Sequence, residues 1–332
     1  AKGGVLSGNG GVIDTSSAKL VTYSPNLIVN TSASHGKFGN WVTDPLTITI
    51  DTASANIISN ALNTTNVTLD ATASSCSLGS CVQSGSPAIN LLAGADIFSL
   101  NQLTSLSLNA VGGSINVNNN ITAGAVFALA QAINVNGSIN TNGGSNSNIY
   151  LAGAMINILG NINSNGNNSN NNNSSNLNSA NSVTGVNRRN GQNGLNADNN
   201  IYTNNGGLIN ILATGDINIG ANSYISANGQ SGGDIHIVST AGKTTINGIV
   251  DSIGKSVNGG NIVIVGKTQT EIIAALISSE GLNQGGVINL GQVNNLGNGT
   301  ILAPPATAPP SLSNFVNSAI SSAVDSNNSI TS

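Results

Sequence analysis

Four Gly-Gly pairs, at 206–207, 232–233, 259–260 and 285–286, are spaced by 26, 27 and 26 residues. Each precedes a short alternating run: Leu208-Ile209-Asn210-Ile211, Asp234-Ile235-His236-Ile237, Asn261-Ile262-Val263-Ile264 and Val287-Ile288-Asn289-Leu290. Alternation puts Ile209, Ile235, Ile262 and Ile288 on one side of their strands, with Ile211, Ile237, Ile264 and Leu290 beside them. The residue between varies freely (Asn210, His236, Val263, Asn289), as an outward position should. A unit this short cannot bury its own apolar side, but stacked units bury one another's.

A second element follows inside the units. Ile133-Asn134-Val135, Ile156-Asn157-Ile158, Ile217-Asn218-Ile219 and Ile246-Asn247-Gly248-Ile249 carry it, and Gly143, Gly166, Gly229, Gly254 and Gly281 close the units. Each repeat therefore reads as strand, bend, strand, bend, strand, turn. The pattern predicts an all-β, right-handed parallel β-helix over residues 1–303. Its interior is Ile, Val, Leu and Ala, and Gly and Asn at the corners supply left-handed backbone conformations. Roughly nine to eleven coils at about 4.8 Å each make a rod of about 45–50 Å. Gly10-Gly11-Val12-Ile13-Asp14 opens like the later coils, and Leu46-Thr47-Ile48-Thr49-Ile50 and Asn66-Val67-Thr68-Leu69 alternate as strands.

Composition narrows the function. Only 6% of residues are charged and the net charge is -4, while the chain holds 58 Asn, about one residue in six. Nucleic-acid binding by counter-ion release needs clustered Lys and Arg, and eight scattered basic residues cannot build that patch. No apolar run reaches the roughly 18 residues of a membrane span. Cys76 and Cys81 are the only cysteines; four intervening residues with a Gly permit a local disulfide, which favours an oxidising, extracellular setting. The other reading, a two-Cys metal site, lacks nearby partners, because His35 and His236 are remote in sequence.

The segment Gly8-Asn9-Gly10-Gly11-Val12-Ile13-Asp14-Thr15-Ser16, followed by Gly39-Asn40-Trp41-Val42-Thr43-Asp44-Pro45 and Ile48-Thr49-Ile50, resembles the filamentous-haemagglutinin-like large exoproteins of bacterial two-partner secretion. The coils from about residue 89 to 291 are similar to that family's shaft. The resemblance implies a secreted, surface-associated β-helical adhesin or filament. The family's Asn-Pro secretion signature is absent and Ser24-Pro25-Asn26-Leu27 echoes it only in part, so the expectation is a shaft or C-terminal portion.

β-Helical glycan-cleaving enzymes converge two or three carboxylates on one face, often with a cation. The acids here are dispersed in sequence: Asp234 shares its column with Leu208, Asn261 and Val287. His236 reads as a solvated surface residue and His35 as a loop residue. No calcium repeat, His-Glu-x-x-His or phosphate loop occurs, so no catalytic residue, metal or cofactor is expected. Residues 165–205 form a low-complexity Asn/Ser/Gly insertion holding Arg188 and Arg189, the only arginines. It reads as a surface loop, with solubility or a grip on acidic partners as the two roles for its guanidiniums. Residues 304–332 begin with Pro304-Pro305 and Pro309-Pro310. An amphipathic helix follows, its stripe made by Leu312, Phe315, Val316, Ile320 and Val324. This tail either caps the last coil or docks on the next subunit. The expected function is structural and adhesive, with a host or abiotic surface, glycans included, as partner. A self-assembling fibre joined through coil ends or the tail, and a glycan-active enzyme, are the alternatives.

Overall fold

The computed structural model describes residues 1–17, 21–71, 85–141, 147–166, 204–296 and 299–302. Cys76, Cys81, Arg188, Arg189, nearly all of the 165–205 insertion and the whole 304–332 tail lie outside those residues.

Every paired strand runs parallel to its neighbour, which makes the chain a parallel β-solenoid. Ten strands, from Val12–Asp14 to Ile288–Leu290, form a first face. A second face runs from Thr47–Ile50 to Val293–Leu296. The two belong to one 16-stranded sheet, because Ser105–Val117, Ala125–Val135 and Ile149–Ile158 bend at the corner and serve both faces. A separate 8-stranded sheet, from Ile97–Phe98 to Thr300–Leu302, makes the third face.

The inward columns agree with the alternation in the sequence. Ile13, Trp41, Val67, Leu106, Val126, Ile149, Ile209, Ile235, Ile262 and Ile288 stand in one register along the first face. On the third face Ile97, Ile121, Ile139, Ile162, Ile225, Val250, Ile277 and Ile301 do the same. One alignment differs. The sequence pairs Ile246 with Ile217, but Thr244 faces Ile217 and Ile246 faces Ile219. Thr244 is buried because its hydroxyl donates to the Val265 carbonyl at 2.8 Å, which ties a corner from inside.

The corner glycines have another reason than the one expected. Among the described residues, positive φ occurs only at Gly8, Gly85, Gly94, Gly112 and Ala274, none of them in the Gly-Gly pairs. The pairs are required by close approach. A Cβ on Gly233 would overlap the Gly207 carbonyl oxygen, one on Gly260 the Gly233 oxygen, and one on Gly286 the Gly260 oxygen. Buried serines from the preceding corner donate to the same carbonyls: Ser252 to Gly233 and Ser279 to Gly260.

The helix Thr52–Ala61 was not anticipated; Asp51 starts it by accepting from the Ser54 amide at 2.8 Å. Ala55, Ile57, Ile58 and Ala61 turn inward, and the helix lies where the third face would otherwise begin. The strand Ile97–Phe98 is the edge of that sheet, and the Phe98 amide donates to Ser59 Oγ at 2.9 Å. The helix thus closes an edge that would otherwise offer free backbone donors.

Candidate interaction surface

The outward side of the second face holds the most regular polar array in the molecule. Thr49, Asn90, Asn116, Asn134, Asn157, Asn218, Thr245 and Glu271 follow one another in register. The asparagines bond in series. Asn116 Nδ2 donates to Asn90 Oδ1 at 2.8 Å, Asn134 to Asn116 at 2.8 Å, Asn157 to Asn134 at 3.0 Å and Asn218 to Asn157 at 3.0 Å. A shorter run lies beside it, with Asn136 Nδ2 donating to Asn118 Oδ1 at 2.8 Å. Asn134 and Asn157 each use one N–H and one oxygen lone pair along the ladder, which leaves a second N–H and a second lone pair for a ligand or water. The amide nitrogen of Asn116 also donates to Ser114 Oγ at 3.4 Å. Strand spacing repeats that donor–acceptor pair roughly every 4.8 Å.

Apolar groups flank the ladder. Ala132 and Met155 share the column of Ser114 on one side, while Leu92 and Leu159 stand exposed on the other. No charged residue occupies an outward position of this ribbon between Ala88 and Leu159. Charge enters further along, first at the exposed Asp216 and then where Lys243 Nζ pairs with Glu271 Oε2 at 3.2 Å. The missing charge has a local reason, since like charges repeated at strand spacing would repel along the column.

Two sequence expectations are corrected. The acids are not all dispersed: Asp14, Asp44 and Asp70 act on one another from successive coils of the first face, and the carboxyl of Asp44 is pushed up to about 6 by burial, then by Asp70 and Asp14. Asp44 stands next to Thr43, which pairs with Leu69, so the register brings it opposite Asp70. Single-sequence reading missed the group because its members are 26 to 30 residues apart. Among the described residues, no set of three His, Cys, Asp or Glu side chains could hold a metal ion. His236 is half-buried rather than fully solvated. Its Nδ1 lies 2.7 Å from Oδ1 of the buried Asn210, and burial lowers its pKa to about 4 despite the opposing effect of Asp234. His35 is exposed in its loop, as expected.

The Trp-containing motif has a packing role. Trp41 is fully buried, its Nε1 donates to Thr15 Oγ1 at 2.9 Å, and Tyr23 meets it edge-on with ring centroids 5.2 Å apart. Burial raises the Tyr23 phenol, partly offset by its bond with Thr43.

Comparison with protein-family models, curated proteins and solved structures found no match.

Proposed function

We propose that this chain is part of a secreted, surface-associated rod of structural and adhesive character, wound as a right-handed β-helix. The observation that carries the reading is the uncharged asparagine ladder on the second face. A flat column of carboxamides flanked by Ala, Met and Leu suits a partner with hydroxyls and C–H faces in repeat, and a neutral polysaccharide has that chemistry. Each contact is weak, and a long ladder makes many of them at once. The likeness of the Gly8–Ile50 segment to filamentous-haemagglutinin-like exoproteins supports the same reading, as does the 4.8 Å-type stacking of parallel strands into a stiff body.

The test is retention of the purified chain on neutral polysaccharides and on cell surfaces. Replacing Asn116, Asn134 and Asn157 with Ala together should weaken retention about tenfold, at roughly 0.5 kcal/mol for each amide. Unchanged retention with the solenoid intact removes the ladder from the binding surface.

A second reading rests on Asp14, Asp44 and Asp70. A carboxyl that keeps its proton to about pH 6 beside two further carboxylates is the arrangement a glycan-cleaving enzyme uses for proton donation. Release of new reducing ends from a polysaccharide panel, abolished by Asp44→Asn, would establish it. No release across the panel leaves the trio as a local charge cluster.

A further inference from the structure

An Asn-Gly pair can react within itself, because glycine has no side chain to shield its amide nitrogen from the preceding carboxamide. Seven such pairs lie within the described residues, at 9–10, 136–137, 165–166, 205–206, 228–229, 247–248 and 258–259. In six of them the glycine N–H donates to a backbone carbonyl. Gly10 donates to Lys37 at 2.9 Å, Gly137 to Val117 at 2.9 Å and Gly166 to Asn228 at 2.7 Å. Gly206 donates to Ser231 at 2.9 Å, Gly229 to Ile253 at 3.1 Å and Gly259 to Gln284 at 2.9 Å. Five of these six asparagines are held by their carboxamides as well; Asn228 Oδ1, for example, accepts from the Ile253 amide at 2.6 Å.

Asn247-Gly248 is the exception. Among the described residues neither the Gly248 N–H nor the Asn247 carboxamide makes a hydrogen bond. The pair forms the corner between the strands Lys243–Ile246 and Ile249–Asp251, and Asn247 is half-buried. The corner also fixes the reactive neighbour, since a Cβ on residue 248 would overlap the Ser223 carbonyl oxygen.

We propose that Asn247 is a site of spontaneous covalent modification in the folded chain. The Gly248 nitrogen loses its proton to hydroxide and attacks Asn247 Cγ. The new C–N bond closes a succinimide ring, and the bond from Cγ to the carboxamide nitrogen breaks, so that nitrogen leaves as ammonia. Water then adds to either ring carbonyl and breaks its bond to the ring nitrogen. One opening gives aspartate; the other gives iso-aspartate, whose main chain runs through the former side-chain carbon. One water enters, one ammonia departs and no electrons are transferred. The product carries a carboxylate where a neutral amide stood. Strand parity puts Asn247 on the outward side with Thr245, whose hydroxyl donates to Glu271 Oε2 at 3.2 Å, so the new charge arises beside an existing acid. The inference is independent of the adhesive reading, because it concerns the chemistry of a corner rather than what the ladder binds.

Trypsin cleavage after Lys243, Lys255 and Lys267 gives peptides 244–255 and 256–267. Asn247 is the only asparagine of the first, and the second carries Asn258-Gly259 as the held reference. The folded full chain is aged in mildly alkaline heavy-oxygen water, then digested in ordinary water and read by mass spectrometry. Peptide 244–255 should show the amide-to-acid mass gain as both aspartate and iso-aspartate, each with one heavy oxygen. Peptide 256–267 should convert about tenfold more slowly, because Gly259 reacts only in molecules whose bond to Gln284 has opened. In urea the two peptides should convert at similar rates. Asn247→Gln should remove the product from 244–255 with unchanged circular dichroism. Equal conversion of both peptides in the folded chain overturns the proposal. So does a peptide 244–255 that stays unmodified in the folded chain while it converts in urea.

Discussion

From Gly206 to Leu290 successive coils place isoleucine over isoleucine on the first face, whereas the coils between Val12 and Asp70 stack Ile13, Trp41 and Val67 in the same column. The later coils share their corner devices as well. Gly229, Gly254 and Gly281 bridge one another, and the Gly-Gly pairs nest under buried serines. In the earlier coils, one-off contacts do that work: the Trp41–Tyr23 pair, the Asp51-capped helix and the Ser59 bond to the edge strand. A repeated coil is held by what its neighbours repeat, so damage should spread along the axis. An irregular coil is held by single contacts, so damage should stay where it is made.

The comparison is tested most severely at Trp41. Trp41→Ala removes a fully buried indole and its bond to Thr15, and should cost about 4 kcal/mol. Amide exchange should accelerate in residues 12–70 and stay slow in 206–290; equal loss in both regions would end the distinction. Gly260→Ala is the counterpart in the regular coils. The added methyl overlaps the Gly233 carbonyl oxygen, and the cost should be about 3 kcal/mol. Exchange should quicken in the coils on both sides, and confinement to one coil would argue against shared support.

Smaller effects sharpen the picture within the earlier region. Asp44→Asn should raise stability at neutral pH by on the order of 1 kcal/mol, a figure reduced for solvent screening of a partly exposed carboxyl. The sign follows from the raised folded pKa: the native state holds the Asp44 proton more tightly, so its contribution is present below about pH 4 and lost as pH rises through about 6. His236 acts oppositely, because its lowered folded pKa contributes above about pH 6.5 and fades as pH falls toward 4. Urea midpoints of wild type and Asp44→Asn between pH 4 and 7 should therefore diverge with rising pH. Asp51→Ala should lower stability by about 1 kcal/mol through loss of the helix cap, read by the same denaturation. Asn134→Ala breaks two ladder bonds on a wet surface and should cost only about 0.5 kcal/mol, with no change in core exchange.

Much of the solenoid is written in local order. The 26- and 27-residue spacing of Gly-Gly pairs and the alternation of Ile209 with Ile211, or Ile235 with Ile237, are enough to stack coils and turn those residues inward, because strand geometry ties side to sequence parity. The same parity places Asn134 and Asn157 outward, although their bonding in series depends on register between coils. Other features needed the assembled structure. Alternation puts Thr244 on the same side as Ile246, and only the stacked coils supply the Val265 carbonyl that accepts from its hydroxyl there. The Thr52–Ala61 helix follows an alternating strand directly, and its value comes from the sheet edge it covers, which belongs to residues 97–98. Asp14, Asp44 and Asp70 become one electrostatic group only when three coils lie over one another. His236 and Val238 were legible as outward, but parity along a strand records only which side a residue takes. How far water meets that side depends on packing between coils: burial holds His236 below its ordinary pKa beside Asn210, while Leu92 and Leu159 at the asparagine ribbon on the neighbouring face stay exposed.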